Sequence, residues 1–259
     1  MSYRLLAADE PPSVLERNRN GRSAFVIIVD HASRRIPRRL GNLGLPPTEL
    51  ERHIAWDIGA LGVASRVASA LDATLVAQNY SRLVIDCNRD TRMPASIPTV
   101  GESIDIPGNV GLRDEDVMAR RAEIFQPYHD HLHILIDERL QVNRPTILIS
   151  QHSMTDVFKS IRRTMHAAVL YNQDRRFAGV LLDILRRERS LSVGDNHPYM
   201  GSDDTSYTLP HHGEARGLPH AEIEIRQDLI RSEAGQAEWA RRIASALQNA
   251  EKAFLRADR

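Results

Sequence analysis

Residues 23–37 read SAFVIIVDHASRRIP. The run 25–29 is wholly apolar, rich in β-branched side chains and without alternation. That is the pattern of a strand buried on both faces of a parallel sheet. It stops abruptly on Asp30 and His31. A core strand needs neither, so the pair points to chemistry at the strand's carboxyl end, where open α/β sheets bind their ligands.

Working outward, apolar runs at 74–77, 83–86, 146–149 and 167–171 read as further strands. Segment 221–225 alternates, with Glu222 and Glu224 between Ile223 and Ile225. Helical patterns lie between them. Segment 46–71 opens with Pro47 and a Thr48/Glu51 capping box, with Ile54, Ile58 and Leu61 as its apolar stripe. Segment 114–142 is a long helix with Pro127 inside it, which predicts a kink or two helices. Segments 175–190 and 232–255 are amphipathic. Strands alternating with helices predict an α/β three-layer sandwich around a mostly parallel sheet. Two long stretches, 87–112 and 193–220, are rich in turn residues and read as walls of a site. With 259 residues, 42% of them hydrophobic, and no linker, the chain is expected to form a single domain over 1–259.

Composition excludes several classes of function. Lys plus Arg and Asp plus Glu both number 34, so zero net charge gives no electrostatic case for nucleic-acid or anionic-membrane binding. Cys87 is the sole cysteine, which rules out an internal disulfide and any cysteine-based zinc site. No signal-peptide core and no membrane-length apolar run is present, so a cytoplasmic location is expected. There is no P-loop, no GxGxxG after a strand, no GxSxG elbow and no HExxH.

The 11 histidines must therefore be sorted by position. His31 and His152 each follow a predicted strand, so both belong to one rim of the sheet and can share a metal ion. A catalytic zinc takes a third protein ligand and keeps a position for water. His53 and Asp57, four apart on a predicted helix, are both candidates for it. The plain alternative is two packed histidines bonded to carbonyls. His129, His131 and His133 read better as a packed or solvated helix face. Arg82 and Arg89 flank the run 83–86 and suit a carboxylate clamp, or else structural ion pairs. Glu224, if its strand is covered, needs a partner such as an activated water, for which it would be the general base. If the strand is an edge, Glu222 and Glu224 face solvent.

Taken together, DHASRRIP, HIAWDIGA, NYSRLVIDCNRD, IPTVGESIDIPGN, ISQHSMTD, DNHPYMG and HAEIEIRQDL follow one another along most of the chain. In that order they resemble the N-formylglutamate amidohydrolase family, in a divergent branch marked by DHAS. The resemblance implies a mixed, mostly parallel sheet between helices, as in zinc carboxypeptidases and zinc amidases. It implies zinc or another divalent transition metal, and hydrolysis of the amide of a small N-acyl amino acid such as N-formylglutamate, within histidine catabolism. By position, His31, Asp57 and His152 match metal ligands, Glu224 the catalytic carboxylate, and Arg82 and Arg89 the substrate's carboxylate binders. Two departures stand out. Ala32-Ser33 replaces the usual Thr-Gly or Ser-Gly, and Arg34 stands where an HxxE site has its glutamate. The alternatives are a zinc amidase acting on a peptidoglycan-type amide and a metal-free or inactive binding protein for acidic metabolites.

Overall fold

The structure is a computed structural model and describes residues 4–199, 201 and 206–257. Seven strands form one mixed sheet. They are β1 (Val14–Arg17), β2 (Phe25–Val29), β3 (Thr74–Gln78), β4 (Ile147–Met154), β5 (Ala167–Leu170), β6 (Val193–Asp195) and β7 (His220–Arg226). Their spatial order is β1-β3-β2-β4-β7-β5-β6. The four central strands β3, β2, β4 and β7 run parallel. β1 is antiparallel to β3 and β5 antiparallel to β7, which makes the sheet mixed but mostly parallel.

The opening strand shows why it lacks alternation. Phe25, Ile27 and Val29 point into a core shared with α1 (Ala60–Leu71), and with α4 (Arg176–Arg186) and α6 (Glu233–Ala257). Val26 and Ile28 point the other way, into a core with Ile124, Tyr128, Leu132 and Ile136. The latter come from the long helical segment made of α2 (Asp114–Arg120) and α3 (Gln126–Gln141) with a π-helical turn between them. Helices thus cover both faces, giving the expected three layers.

The π-helical turn, Arg121–Phe125, is how the segment absorbs Pro127. Proline lacks an N–H and crowds the carbonyl four residues back, so the helix widens by one residue ahead of it. Other expectations need correction. Residues 83–86 are not a strand. Ser81 caps a turn there, its Oγ accepting from Leu83 N at 3.1 Å while Val84 N donates to Ser81 O at 2.9 Å. The run is apolar because Leu83, Val84 and Ile85 are buried beneath that turn.

Segment 46–71 is not one helix either. After a single turn at Pro47–Leu50, with Pro46 before it and no side-chain cap, the chain leaves helical geometry until Ala60. Gly59 sits at φ +81, where a Cβ would lie 2.2 Å from Ile230 O. The Thr48/Glu51 capping box does not form. His53 and Asp57 therefore do not share a helical face. β1 and β6, both short, were not expected from the sequence. The long segment 193–220 holds β6, the short helix α5 (Thr208–His212) and the start of β7, and its residues 200 and 202–205 lie outside the described residues. No helix among the described residues is long and apolar enough to cross a membrane.

Candidate functional site

Three elements deliver the site to one lip of the sheet. β2 ends at Val29, so Asp30 and His31 emerge together at its carboxyl end. β4 runs five residues beyond the expected 149, to Met154, so His152 lies inside the strand, near its end. The non-helical stretch before Gly59 folds back over β2, where Asp57 N donates to His31 O at 2.9 Å. That bond fixes Asp57 beside His31.

The result is a compact triad. One ligand atom from each of His31, Asp57 and His152 lies within 4.8 Å of the others, and all three residues are buried. His152 Nδ1 is 2.8 Å from Asp57 Oδ2 and His31 Nδ1 is 3.5 Å from it. The two rings sit edge to face, their centroids 5.0 Å apart. Each ring turns its other nitrogen to a second acid. His31 Nε2 is 2.7 Å from Asp86 Oδ1. His152 Nε2 is 2.9 Å from Ser150 Oγ and 3.5 Å from Asp30 Oδ2.

Those outer acids are themselves held. Asp30 accepts from Tyr128 Oη at 2.9 Å and Thr208 Oγ1 at 2.8 Å. Asp86 accepts from Arg82 Nη2 at 2.7 Å and Asn88 N at 2.9 Å. A carboxylate behind each imidazole fixes the ring and raises its basicity, the arrangement that supports metal-binding histidines.

The electrostatics follow from burial opposed by pairing. Burial raises the pKa of Asp57, but His31 and His152 outweigh it and hold the carboxyl low. Burial likewise opposes ionisation of Asp86, where Arg82 and His31 prevail. His152 is held well above the ordinary histidine value because Glu222, Asp30 and Asp57 outweigh its desolvation. Glu224 behaves in the opposite way. Burial, with Asp57 and Glu222 adding repulsion, pushes it up to about 8. His31 Nδ1 and Glu224 Oε2 are buried without a hydrogen-bond partner among the described residues. An orphaned imidazole nitrogen facing a carboxylate, with a second imidazole alongside, is a donor set that fits a divalent transition metal.

Glu224 reaches this lip because β7 lies between β4 and β5, with Glu224 opposite His152 in register. β7 is thus an interior strand and not a solvated edge. Glu222, Glu224, Arg82, Arg89 and His53 all line one cavity of about 410 Å³ together with the triad. Arg82, with its bond to Asp86, also brings Nη1 to 3.7 Å from Asp57 Oδ1. Arg89 donates from Nη1 to Asn88 O at 2.8 Å. His53 stands on the cavity wall, 3.8 Å from Glu102, and Asp57 is the residue that joins the two histidines. His131 pairs with Glu16 and His133 with Asp137, away from the triad.

Sequence reasoning did not assign Asp86, Asp30 and Ser150 their places behind the rings. Asp30 beside His31, and Asp86 in the segment VIDCN, were the available signals. Glu222, Ser153 and Tyr199 on the cavity wall were not singled out as site residues, and only the alternation of β7 marked Glu222.

No curated protein matches the sequence. A solved structure of a gene product from Agrobacterium tumefaciens is 35% identical, with a TM-score of 0.93 over 97% of this chain and 99% of that one. The crystal structure of N-formylglutamate amidohydrolase from Ralstonia eutropha is 19% identical, with a TM-score of 0.68 over 93% of this chain and 98% of that one, a likeness of fold. The sequence model of the N-formylglutamate amidohydrolase family matches residues 23–231, a span running from the first residue of the opening stretch to beyond β7. With His31, Asp57, His152 and Glu224 all inside that span, the chain belongs to the N-formylglutamate amidohydrolase family.

Proposed function

We propose that this protein is a metal-dependent amidohydrolase that cleaves the amide of a small N-acyl amino acid, N-formyl amino acids being the first class to assay. The observation that carries it is the meeting of two imidazoles and Asp57 beside Glu224, whose buried Oε2 has no hydrogen-bond partner among the described residues, in one cavity.

In this reading His31 Nδ1, His152 Nδ1 and an Asp57 carboxylate oxygen hold the ion, zinc by its donor preference. Once bound, the ion supplies Lewis acidity toward the acyl carbonyl and lowers the pKa of water toward roughly 7. Glu224 takes the proton of the attacking water as its oxygen adds to the acyl carbon. It then returns the proton to the amine nitrogen as the carbon–nitrogen bond breaks. The high pKa that burial gives Glu224 suits a group that must hold that proton between the two steps. Arg82 and Arg89 hold substrate carboxylate and fix the scissile amide over the triad. Asp86 and Asp30 keep the two rings in the tautomer that leaves Nδ1 available.

The test is metal analysis of the purified protein together with a panel of N-formyl and N-acetyl amino acids scored for amine release. One ion per chain with metal-dependent release is the expected result. Release that survives complete metal removal would overturn the assignment.

A further inference from the structure

The strand that carries Glu224 carries a second acid that this reaction does not use. Glu222 is two residues earlier on β7 and on the same face, roughly 7 Å further back from the strand's carboxyl end. It lines the cavity and is only 9% exposed. Among the described residues its hydrogen bond is a long one, accepted from Ser206 Oγ at 3.4 Å. Among the described residues no Lys or Arg lies within ion-pair distance of it, and the metal-ligand cluster does not include it. Its partner on β4 is Ser150, one pleat below His152. On β5 its partner is Leu170, which gives the cavity an apolar wall there.

His152 attracts Glu222 when protonated, but as a metal ligand that ring is neutral. A carboxylate withdrawn from water without a fixed cation is costly, and such positions persist where a ligand brings the cation. An acid at the back of the cavity beside an aliphatic wall suits an alkyl stem ending in a positive charge. An acidic side chain placed there meets like charge instead. We propose that Glu222 is a specificity-determining residue that selects substrates whose amine component bears a second, cationic group on an alkyl stem. N-acyl derivatives of lysine- or ornithine-type diamino acids are that class. The proposal rests on the amidohydrolase reading above, with Arg82 and Arg89 taking the α-carboxylate.

The experiment has a kinetic arm and a binding arm, both on metal-loaded protein. In the first, N-formyl-lysine, N-formyl-norleucine and N-formylglutamate are compared on the wild type, Glu222→Gln and Glu222→Asp. In the second, L-lysine and L-norleucine are titrated calorimetrically into the same proteins. The expected wild-type preference for lysine over norleucine is about tenfold or more in both arms. It should collapse in Glu222→Gln and survive in part in Glu222→Asp. Wild-type protein that favours norleucine or glutamate, or binds lysine no better than norleucine, overturns the role of Glu222 without any variant. Lysine binding that depends on Glu222 with no hydrolysis of any amide supports the recess and sinks the hydrolytic reading alone. Absence of both sinks both.

Discussion

Two pairs of buried imidazoles sit in this molecule at nearly the same spacing, and their surroundings give them opposite characters. His31 and His152 lie 5.0 Å apart, and His129 and His212 lie 5.3 Å apart. The first pair is ringed by Asp30, Asp57 and Asp86, and opens on the cavity. The second is stacked nearly parallel among Phe125, Tyr128 and Tyr207, with His129 Nε2 on Cys87 O and, among the described residues, no acid in contact. Burial pushes His129 down to about 4 and His212 to about 2. It acts on His152 too, but there the acids win. Burial alone makes a histidine a neutral packing group, and it is the placing of carboxylates that makes a donor site.

The sharpest way to break the comparison is to remove the acid that joins the first pair. Asp57→Ala should reduce metal content from about one ion per chain to near none by elemental analysis, and hydrolysis with it. His129→Phe should leave the metal content unchanged. Equal loss in both variants would erase the distinction. Glu224→Gln comes next, keeping the ion while turnover falls by about 10²–10⁴. Wild-type turnover in that variant would remove Glu224 from the chemistry. Asp86→Asn acts one shell out and should weaken metal affinity about 10–100-fold, with stoichiometry restored at excess metal. A competition titration against a chelating dye reads that shift directly.

The smallest effect is on stability, and the two regions should show opposite signs. His129 and His212 have folded pKa values below the unfolded histidine value. Their contribution is therefore complete above about pH 6.5 and is lost as pH falls toward about 4. Glu224 is raised, so its contribution is present below about pH 4.5 and is lost as pH rises toward about 8 in metal-free protein. His152, also raised, extends that loss to higher pH. Thermal melts of chelated protein across pH should fall at both ends. Metal should restore the alkaline side only. Restoration of the acid side by metal would place the ion with the wrong pair.

Much of the site was legible in the sequence. Asp30 and His31 ending an apolar strand needed no structure to attract notice, because a sheet interior has no use for them. His152 was legible for the same reason, and Glu224 through the alternation of β7. What failed was local. The helix expected over 46–71 breaks because Gly59 must let the chain approach Ile230, a tertiary demand with no periodic signature. The break puts Asp57 on a turn tied to His31 O, and the helical argument linking it to His53 was wrong although the residue was a candidate. The run 83–86 is apolar because it is buried, and burial without a pairing partner looks like a strand. The edge strands β1 and β6 are too short to stand out.

One measurement reaches the centre of this account. Crystals of metal-loaded protein, with anomalous scattering recorded at the zinc edge, locate the ion without reference to activity. The account predicts a single strong peak about 2.0–2.2 Å from His31 Nδ1, His152 Nδ1 and an Asp57 carboxylate oxygen. A peak between His129 and His212, or zinc bound only at surface acids while the triad stays bonded to itself, would contradict it.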